Sequence, residues 1–294
     1  MDPRQMLNFE GKTVLVTGGG VGIGRGIADA FYAAGATVVI AEIDPERAAA
    51  VRQALPNAVV VECDVLKRGA PRALAKVVED TSGKLDVLVN NVGHFVHALP
   101  FDMLSEDQID EIVDVNLGQV LRMTHGLLPM LRAAAPGASI INITSIEAYR
   151  GVPYCTVYAA GKTGVSGFTK ALALELAPEG IRINDIAPET TDTPQVAIDI
   201  MIPPENRVNE DKWIPLGRFG KPSDCAGAAL YLASPMAEWV TGTAIHVDGG
   251  ALAAAGWTRT PTGEWTVVPM VTGNGLVIPG AFPGDEALTE KLAE

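Results

Sequence analysis

The chain has 294 residues, of which 48% are hydrophobic and 19% are charged, and its formal net charge is −13. This apolar fraction is large enough to build a buried core, which excludes intrinsic disorder as the main state of the chain. The acidic balance argues against nucleic acid as a partner, because phosphate binding needs a basic face.

Short β-branched runs alternate with longer Ala-rich amphipathic segments along residues 8–252. The runs predict strands over 13–17, 37–41, 58–62, 86–90, 138–144, 181–187 and 243–247. The segments between them predict helices over 22–34, 45–55, 69–82, 105–132, 156–178 and 222–234. Near-continuous Val and Ile, rather than alternation with polar residues, indicates strands buried on both faces of a parallel sheet. The order of elements therefore predicts an α/β fold, with a doubly wound sheet and helices on both faces.

The composition changes after residue 252. We expect residues 1–252 to form one domain, and residues 253–294, rich in Gly, Pro, Thr and Trp, to form an irregular carboxy-terminal extension of loops with one hairpin. One interpretation of this extension is a surface-hugging, partly disordered tail. The other is an arm that packs on a neighbouring subunit or caps a site, because Trp257, Trp265 and Phe282 are costly to leave in water.

The cysteines and the amino-terminal residues indicate the compartment. Cys63, Cys155 and Cys225 lie far apart without a CxxC pair, which fits a reducing environment better than a disulfide framework or a zinc site. The first residues are polar and acidic, unlike a secretory signal peptide. Because the apolar runs are also too short to cross a bilayer, we expect a soluble cytoplasmic protein that does not contact membranes.

A glycine-rich turn, Thr17–Gly24, joins the first predicted strand to the following helix. Glycine allows a tight turn and a close approach of backbone N–H groups to a pyrophosphate, and the helix amino terminus adds partial positive charge. Such a run on its own can also be an ordinary turn. A dinucleotide site further needs an acidic residue at the end of the second strand, and Glu42 stands there. We therefore predict a dinucleotide-binding site.

Tyr158 and Lys162 are four residues apart on a predicted helix and so lie on one face of it. Tyrosine is a poor base at neutral pH, but a nearby ammonium group stabilises the phenolate by its opposite charge. The pair alone is a common surface pattern. Tyr158 is therefore a candidate general acid/base only where further residues accompany the pair.

Several of these motifs resemble those of the short-chain dehydrogenase/reductase family, over about residues 9–252. They are the TGxxxGxG turn, the segment Asn90–Gly93, which is similar to the family's NNAG, and the set of Ser145, Tyr158 and Lys162. The resemblance implies a Rossmann-type sheet of about seven parallel strands that binds NAD(H) or NADP(H). The cofactor-binding positions it implies are Gly18, Gly22, Ile23, Gly24, Glu42, Asp64, Val65, Asn91, Gly93, Tyr158, Lys162, Pro188 and Thr193.

NAD is the cofactor that this pattern favours. A carboxylate at Glu42 can accept hydrogen bonds from both ribose hydroxyl groups, and it repels a 2′-phosphate. Val21 stands where NADP-using relatives often carry Arg or Lys, and it brings no compensating charge. By resemblance, Asp64 and Val65 contact the adenine.

The resemblance also implies a role for each catalytic residue. Ser145 orients the substrate oxygen, and Tyr158 exchanges the hydroxyl proton as general acid/base. Lys162 lowers the pKa of Tyr158 and holds the nicotinamide ribose, while Asn116 relays the proton through a bound water. The implied reaction is hydride transfer between NAD(H) and a secondary alcohol or ketone.

The nature of the substrate is less directly encoded. Phe95, Met201, Ile202 and Trp213 predict an apolar or cyclic alcohol, unless they belong to the core. The alternative function is a non-catalytic NAD-binding sensor or scaffold, which would have no need of Tyr158. A sugar-nucleotide epimerase would need a larger carboxy-terminal domain.

Three further expectations concern metal, loop geometry and assembly. His94 and His97 lack a third ligand at a fitting spacing, so we expect no metal. Glu189 replaces a glycine that is usual in the family, and it is strained if its φ is positive. The segments 105–132 and 156–178 carry apolar residues on more than one face, and by resemblance this predicts a homo-tetramer.

Overall fold

The computed structural model describes residues 3–202, 204–256, 258, 259, 263, 265 and 266. The chain divides into two compact units. The first comprises Met1–Met201 and Gly220–Asp248, and the second comprises Ile202–Phe219 and the chain from Gly249 onwards. The domain boundary expected after residue 252 stays a prediction.

The first unit is built on a seven-stranded parallel sheet, which confirms the predicted fold class. In chain order the strands are β1 (Thr13–Thr17), β2 (Thr37–Glu42), β3 (Val59–Glu62), β4 (Val87–Asn90), β5 (Ser139–Ile143), β6 (Arg182–Pro188) and β7 (Ala244–Val247). Their spatial order is β3-β2-β1-β4-β5-β6-β7, so the direction of winding reverses between β1 and β4. In doubly wound sheets such a switch point opens a crevice at the carboxyl ends of the strands.

The alternation of side chains explains why successive residues of β1 and β2 are apolar. Val14 and Val16 pack into the core on one face of the sheet, whereas Leu15 packs into the core on the other face. Val38 and Val39 divide between the two faces in the same way. Because both faces exclude water, apolar side chains are favoured on each of them, and buried polar residues such as Asn142 and Asp185 are hydrogen-bonded.

Helices cover both faces of this sheet. The described helices are α1 (Pro3–Met6), α2 (Gly22–Ala33), α3 (Pro45–Ala54), α4 (Ala70–Ser82), α5 (Glu106–Val113), α6 (Gln119–Ala134), α7 (Thr156–Leu176), α8 (Ile198–Met201), α9 (Glu210–Trp213), α10 (Pro222–Ala233) and α11 (Ala251–Ala254). Apolar side chains of α2 and α10 pack on one face of the sheet, and those of α4, α6 and α7 pack on the other. The predicted two-sided arrangement is therefore confirmed.

The helix predicted over 105–132 is interrupted. It consists of α5, a π-helical turn over Asp114–Gly118, and α6. A π turn places one extra residue in a helical turn and is frequent at functional sites. The residues of this turn are therefore candidates for a functional site.

The second unit contains α9, α11 and an antiparallel pair of short strands, β8 (Thr258–Arg259) and β9 (Trp265–Thr266). The expected extension thus holds one strand pair among its described residues. Trp257 and Phe282, to which the tail and arm interpretations refer, lie outside the described residues. Within the described part of the chain, no helix is long and apolar enough to span a membrane.

Candidate active site

A cleft of about 560 Å³ opens at the carboxyl ends of the central strands, where the switch point predicts a ligand site. The loops after β1, β2, β4, β5 and β6 contribute to it, together with the start of α7. The predicted site residues that line it are Gly18, Gly22, Ile23, Glu42, Asn91, Gly93, Ser145, Tyr158, Lys162, Pro188 and Thr193. The structure therefore brings together residues that are dispersed along the chain.

Four predicted residues do not line the cleft. Gly24 packs into the turn after β1, where an added Cβ would lie 2.3 Å from a backbone oxygen. Asn116 is fully buried. Asp64 and Val65 follow β3, and Asp64 Oδ1 accepts the N–H of Leu66 at 3.0 Å. The adenine contact of this pair stays a prediction.

A second cavity, of about 690 Å³, lies at the opposite, amino-terminal edge of the sheet. Its lining includes Lys12, Asp86, Arg182 and Trp239, and none of the predicted site residues. Parallel α/β sheets bind their ligands at the carboxyl ends of the strands. We therefore assign the site to the smaller cleft.

The turn after β1 is shaped to present backbone N–H groups. Gly18 and Gly22 have φ values of +62° and +61°, a left-handed conformation that glycine adopts without strain. Val21 is the N-cap residue of α2, and its side chain makes no capping hydrogen bond. The first N–H groups of α2 therefore keep their capacity to donate, and with the helix dipole they are suited to an anion.

Glu42 ends β2 beside this turn and is only 3% exposed. Its Oε2 accepts the N–H of Gly20 at 2.9 Å, and its Oε1 accepts the N–H of Asp44 at 3.1 Å. The carboxylate is thus fixed in place and keeps lone pairs for further donors. Arg47, at the start of α3, also lines the cleft, and its Nε lies 3.9 Å from Asp44 Oδ2. Arg47 is not among the residues predicted from the sequence, because it belongs to no recognised motif.

Ser145 follows β5, and Tyr158 and Lys162 lie one turn apart near the start of α7. The Nζ of Lys162 is 5.7 Å from the centroid of the Tyr158 ring and donates to the backbone oxygen of Ile143 at 2.9 Å. The Oγ of Ser145 accepts the N–H of Glu147 at 3.2 Å. Tyr158 is 8% exposed and Lys162 is 3% exposed, so both are held in a largely buried wall of the cleft.

Burial changes the acid–base properties of this pair. It raises the pKa of Tyr158 to about 12, while a hydrogen bond with Ser145 lowers this pKa and the charge of Glu147 raises it. Burial also lowers the pKa of Lys162 to about 8, against the opposing charge of Asp185. Without a bound cofactor, desolvation of the phenol is the largest influence on the pKa of Tyr158. The expectation that Lys162 lowers this pKa when a nicotinamide is bound stays a prediction.

Asn116 anchors the loop after β4 from within the π turn. Its Nδ2 donates to the backbone oxygens of His94 at 2.8 Å and Ile112 at 2.9 Å, and its Oδ1 accepts the N–H of His94 at 3.1 Å. The sequence placed this residue inside a continuous helix, whereas the structure places it where that helix is interrupted. Its role as a proton relay stays a prediction.

The loop after β4 forms an aromatic wall next to Tyr158. The rings of Phe95 and Tyr158 have centroids 4.6 Å apart and are tilted by 47°. The Nδ1 of His94 accepts the N–H of Val96 at 2.7 Å, and burial lowers the pKa of His94. Val96 has a φ of +56°, which is strained for a β-branched residue. This loop is therefore held in one particular shape beside the cleft.

The two histidines of this loop have different partners. His94 faces the cleft, whereas His97 Nε2 lies 2.9 Å from Glu111 Oε2. In the described part of the chain, no group of three or more His, Cys, Asp or Glu side chains is placed to hold a metal ion.

The residues expected to form an apolar substrate pocket are distributed over both units. Phe95 lines the cleft. Ile202 and Trp213 belong to the second unit, and the side chain of Met201 is outside the described structure. The expectation therefore depends on Phe95 in the part of the chain that forms the cleft.

Glu189 follows β6 and is not among the non-glycine residues of the described chain with positive φ, so the strain considered above does not arise. Its side chain is 6% exposed, and its Oε2 forms an ion pair with Arg150 Nη2 at 2.7 Å. Arg150 also donates twice to Glu147, at 2.8 and 3.2 Å. Arg150 is not among the residues predicted from the sequence. Glu189 at a position that is usually glycine could have indicated it, since a buried carboxylate needs a nearby cation.

Comparisons with known proteins agree with this geometry. The profile of a family described as enoyl-(acyl carrier protein) reductase matches residues 19–251. The chain is 38% identical to 3-oxoacyl-(acyl-carrier-protein) reductase FabG of Thermotoga maritima, over 83% of this chain and 99% of that protein. It is 39% identical to 3beta-hydroxysteroid dehydrogenase 1 of Eggerthella lenta, over 83% of this chain and 94% of that protein.

Solved structures show the same relationship. A 7 alpha-hydroxysteroid dehydrogenase, complexed with NADH and 7-oxo glycochenodeoxycholic acid, matches with a TM-score of 0.79 and 33% identity, over 85% of this chain and 98% of its own. A dehydrogenase/reductase from Sinorhizobium meliloti 1021 matches with a TM-score of 0.78 and 31% identity, over 84% of this chain and 98% of its own. On the evidence of its motifs, its fold and these relatives, the chain belongs to the short-chain dehydrogenase/reductase family of oxidoreductases.

Proposed function

We propose that this protein transfers a hydride between NAD(H) and a secondary alcohol or ketone of apolar or cyclic structure. The observation that carries the proposal is the convergence of Ser145, Tyr158 and Lys162 with Glu42 and the amino end of α2 in one cleft. These groups combine an acid–base pair with an anion-binding turn and a fixed carboxylate, the set of parts that such a reaction requires.

The residues present fit a dinucleotide. The N–H groups at the start of α2 suit a pyrophosphate, and the carboxylate of Glu42 suits the ribose hydroxyl groups. Gly93 keeps this part of the cleft open, because an added Cβ there would lie 2.5 Å from Lys162 Nζ. The other proposed cofactor contacts are Gly18, Gly22, Ile23, Gly24, Asn91, Tyr158, Pro188 and Thr193, with Asp64 and Val65 at the adenine.

When bound, the nicotinamide supplies the donor or acceptor of the hydride. Ser145 donates a hydrogen bond to the substrate oxygen. Tyr158 gives a proton to that oxygen in reduction and takes it in oxidation. Lys162, whose Nζ lies 5.7 Å from the ring centroid, stabilises the phenolate while it carries its proton. Asn116 holds the wall of the site and is the proposed link of the proton path to solvent.

The choice of NAD over NADP rests on Glu42. Its carboxylate is 3% exposed and is fixed by two backbone N–H groups, so it cannot swing away from a 2′-phosphate. Arg47 is the cation nearest to this point that we identify in the cleft, and its guanidinium lies near Asp44. We therefore propose that Arg47 does not compensate for the repulsion.

An apolar or cyclic substrate is proposed from the wall that Phe95 forms against Tyr158. Two of the relatives that the chain resembles are named as hydroxysteroid dehydrogenases, and another, from Bos taurus, is named L-fucose dehydrogenase. Cyclic alcohols are thus the common feature among these named proteins.

We also propose a cytoplasmic homo-tetramer in which residues 1–252 are the dinucleotide-binding catalytic domain and residues 253–294 its extension. Leu174 of α7 is 79% exposed, and Val113 and Leu121 are 38% and 36% exposed. Assembly through these helices would bury this apolar surface. Light scattering from the purified protein measures the number of subunits, and a monomeric mass contradicts this part of the proposal.

The substitution Tyr158→Phe tests the proposed function. With NAD⁺ and a panel of cyclic secondary alcohols at alkaline pH, the variant should lose turnover by at least about 100-fold, because it has no proton to exchange. Calorimetric titration should show nearly unchanged NAD⁺ affinity, since the ring remains. A wild-type protein that binds NAD⁺ but oxidises no alcohol in the panel would instead favour the sensor or scaffold.

A further inference from the structure

The Glu147–Arg150–Glu189 cluster has no part in the hydride transfer described so far. Arg150 Nη2 lies 2.8 Å from Glu147 Oε1 and 2.7 Å from Glu189 Oε2, and its Nε lies 3.2 Å from Glu147 Oε2. The side chains are 13%, 27% and 6% exposed for Glu147, Arg150 and Glu189. Breaking an ion pair that is shielded from water is costly, because it leaves a buried charge without its partner, whereas exposed pairs contribute little to stability. The ion pairs of this cluster are largely shielded from water.

The two carboxylates come from different walls of the cleft, and both line it. Glu147 lies in the loop after β5, where its N–H donates to the Oγ of Ser145 at 3.2 Å. Glu189 lies in the loop after β6, where its Oε1 accepts the N–H and the hydroxyl of Thr190 at 2.8 and 2.7 Å. Arg150 therefore connects the loop that carries Ser145 with the loop that carries the proposed cofactor contacts.

We propose that Arg150 is a positioning residue that ties the Ser145 loop to the loop over Pro188–Thr193 and so sets the spacing of the substrate and cofactor walls. The inference rests on the proposed function and extends it. The backbone of these loops is otherwise joined through the pairing of β5 with β6 up to Ile143 and Ile186, and through Thr144, whose N–H and hydroxyl donate to the backbone oxygen of Ile186 at 2.8 and 3.1 Å. Beyond that point, the ion pairs of Arg150 join the two loops where they face the cleft.

The test is a double-mutant cycle on NAD⁺ affinity, measured by calorimetry without substrate. Arg150→Met keeps the length of the side chain and removes its charge. Because Glu189 is then left buried without its cation, the loop should shift and the Kd for NAD⁺ should rise at least about tenfold. Glu189→Ala removes the tie without leaving a buried charge, and we expect a rise of about threefold to tenfold.

The double variant should bind NAD⁺ no more weakly than Arg150→Met, because the two residues act through one contact. The matched control is Arg132→Met. Arg132 makes an equivalent two-bond contact with Glu179 at 2.7 and 2.8 Å, but it is 52% exposed and lies outside the cleft lining. This variant should leave the Kd for NAD⁺ unchanged.

Steady-state kinetics separate positioning from a merely structural role. Loss of positioning raises KM for NAD⁺ and for the alcohol, whereas a smaller folded fraction lowers the apparent kcat and leaves KM unchanged. Thermal unfolding is recorded for each variant, and Glu189→Ala carries the test if Arg150→Met does not fold. The proposal is overturned by unchanged Kd in Glu189→Ala, by additive losses in the double variant, or by an equal loss in Arg132→Met. Wild-type binding of NAD⁺ without alcohol turnover contradicts the proposed function while leaving this affinity test intact.

Discussion

Burial shifts the pKa values of Tyr158 and Lys162, the proposed catalytic pair. It raises the pKa of Tyr158 to about 12 and lowers that of Lys162 to about 8, because both charged forms lose their hydration. At neutral pH the tyrosine is therefore protonated, which is the form that donates a proton to a ketone. Oxidation needs the phenolate, so it is favoured by alkaline pH.

We predict opposite pH dependences for the two directions of the reaction. The kcat/KM for alcohol oxidation should rise as the pH increases, since the phenolate fraction of Tyr158 grows, and that for ketone reduction should fall. Glu147→Gln removes a charge that raises the Tyr158 pKa. The rising limb of the oxidation profile should therefore move to lower pH. Profiles from neutral to strongly alkaline pH measure this, and a limb that stays in place in the variant refutes the role of Glu147.

The proposed choice of NAD over NADP rests on Glu42, and Glu42→Ala tests it. Loss of an ionised acceptor should weaken NAD⁺ binding by about 1.5–3 kcal/mol, roughly ten- to a hundredfold. NADP⁺ should bind more tightly to the variant than to the wild type, because its 2′-phosphate no longer meets a carboxylate. Calorimetric titration with both dinucleotides measures the two changes. Tighter binding of NADP⁺ than of NAD⁺ by the wild-type protein contradicts the assignment.

The helix is interrupted between α5 and α6 by a π turn that carries Asn116. The π turn brings Asn116 to the backbone of the loop after β4, to which it makes hydrogen bonds through both its donor and its acceptor. This contact shapes the wall that contains Phe95. Asn116 therefore links the position of the interrupted helix to the position of the loop that contains Phe95.

Asn116→Ala should lower the free energy of unfolding by about 1–3 kcal/mol, since the buried hydrogen bond to Ile112 and the part-buried ones to His94 are lost. Urea denaturation measures this change. Asn116→Asp is the matched variant, because it keeps the acceptor for the His94 N–H and loses the donors, and it should also be destabilised. A loss of less than about 0.5 kcal/mol in both variants would be typical of a surface position and would contradict the anchoring role.

The elements themselves follow from the sequence where the physical cause is local. Strands buried on both faces require continuous Val and Ile, so β1 to β7 are predictable, and the glycine turn and the Tyr158–Lys162 spacing are short motifs. The π turn is not predictable, because apolar spacing continues through it. The contact of Arg150 with Glu189 arises only when β5 and β6 pair. The pKa of Tyr158 depends on burial, which the spacing of two residues does not encode.

At the scale of the whole molecule, the order of the strands places the site. The reversal of winding between β1 and β4 leaves a crevice where the loops of five strands meet, and most of the proposed cofactor and catalytic residues line it. The core on each face of the sheet fixes the strands from whose ends these loops start. We therefore propose that one sheet holds an acid–base pair and a dinucleotide site together.

Direct transfer of isotope tests this claim. The wild-type protein is incubated at alkaline pH with NAD⁺ and cyclic secondary alcohols that carry deuterium on the carbinol carbon, and the nucleotide is analysed by mass spectrometry and NMR. We predict that deuterium appears at C4 of the reduced nicotinamide and that Tyr158→Phe abolishes its transfer. Reduced nicotinamide without deuterium, or equal transfer by the Tyr158→Phe variant, contradicts the account.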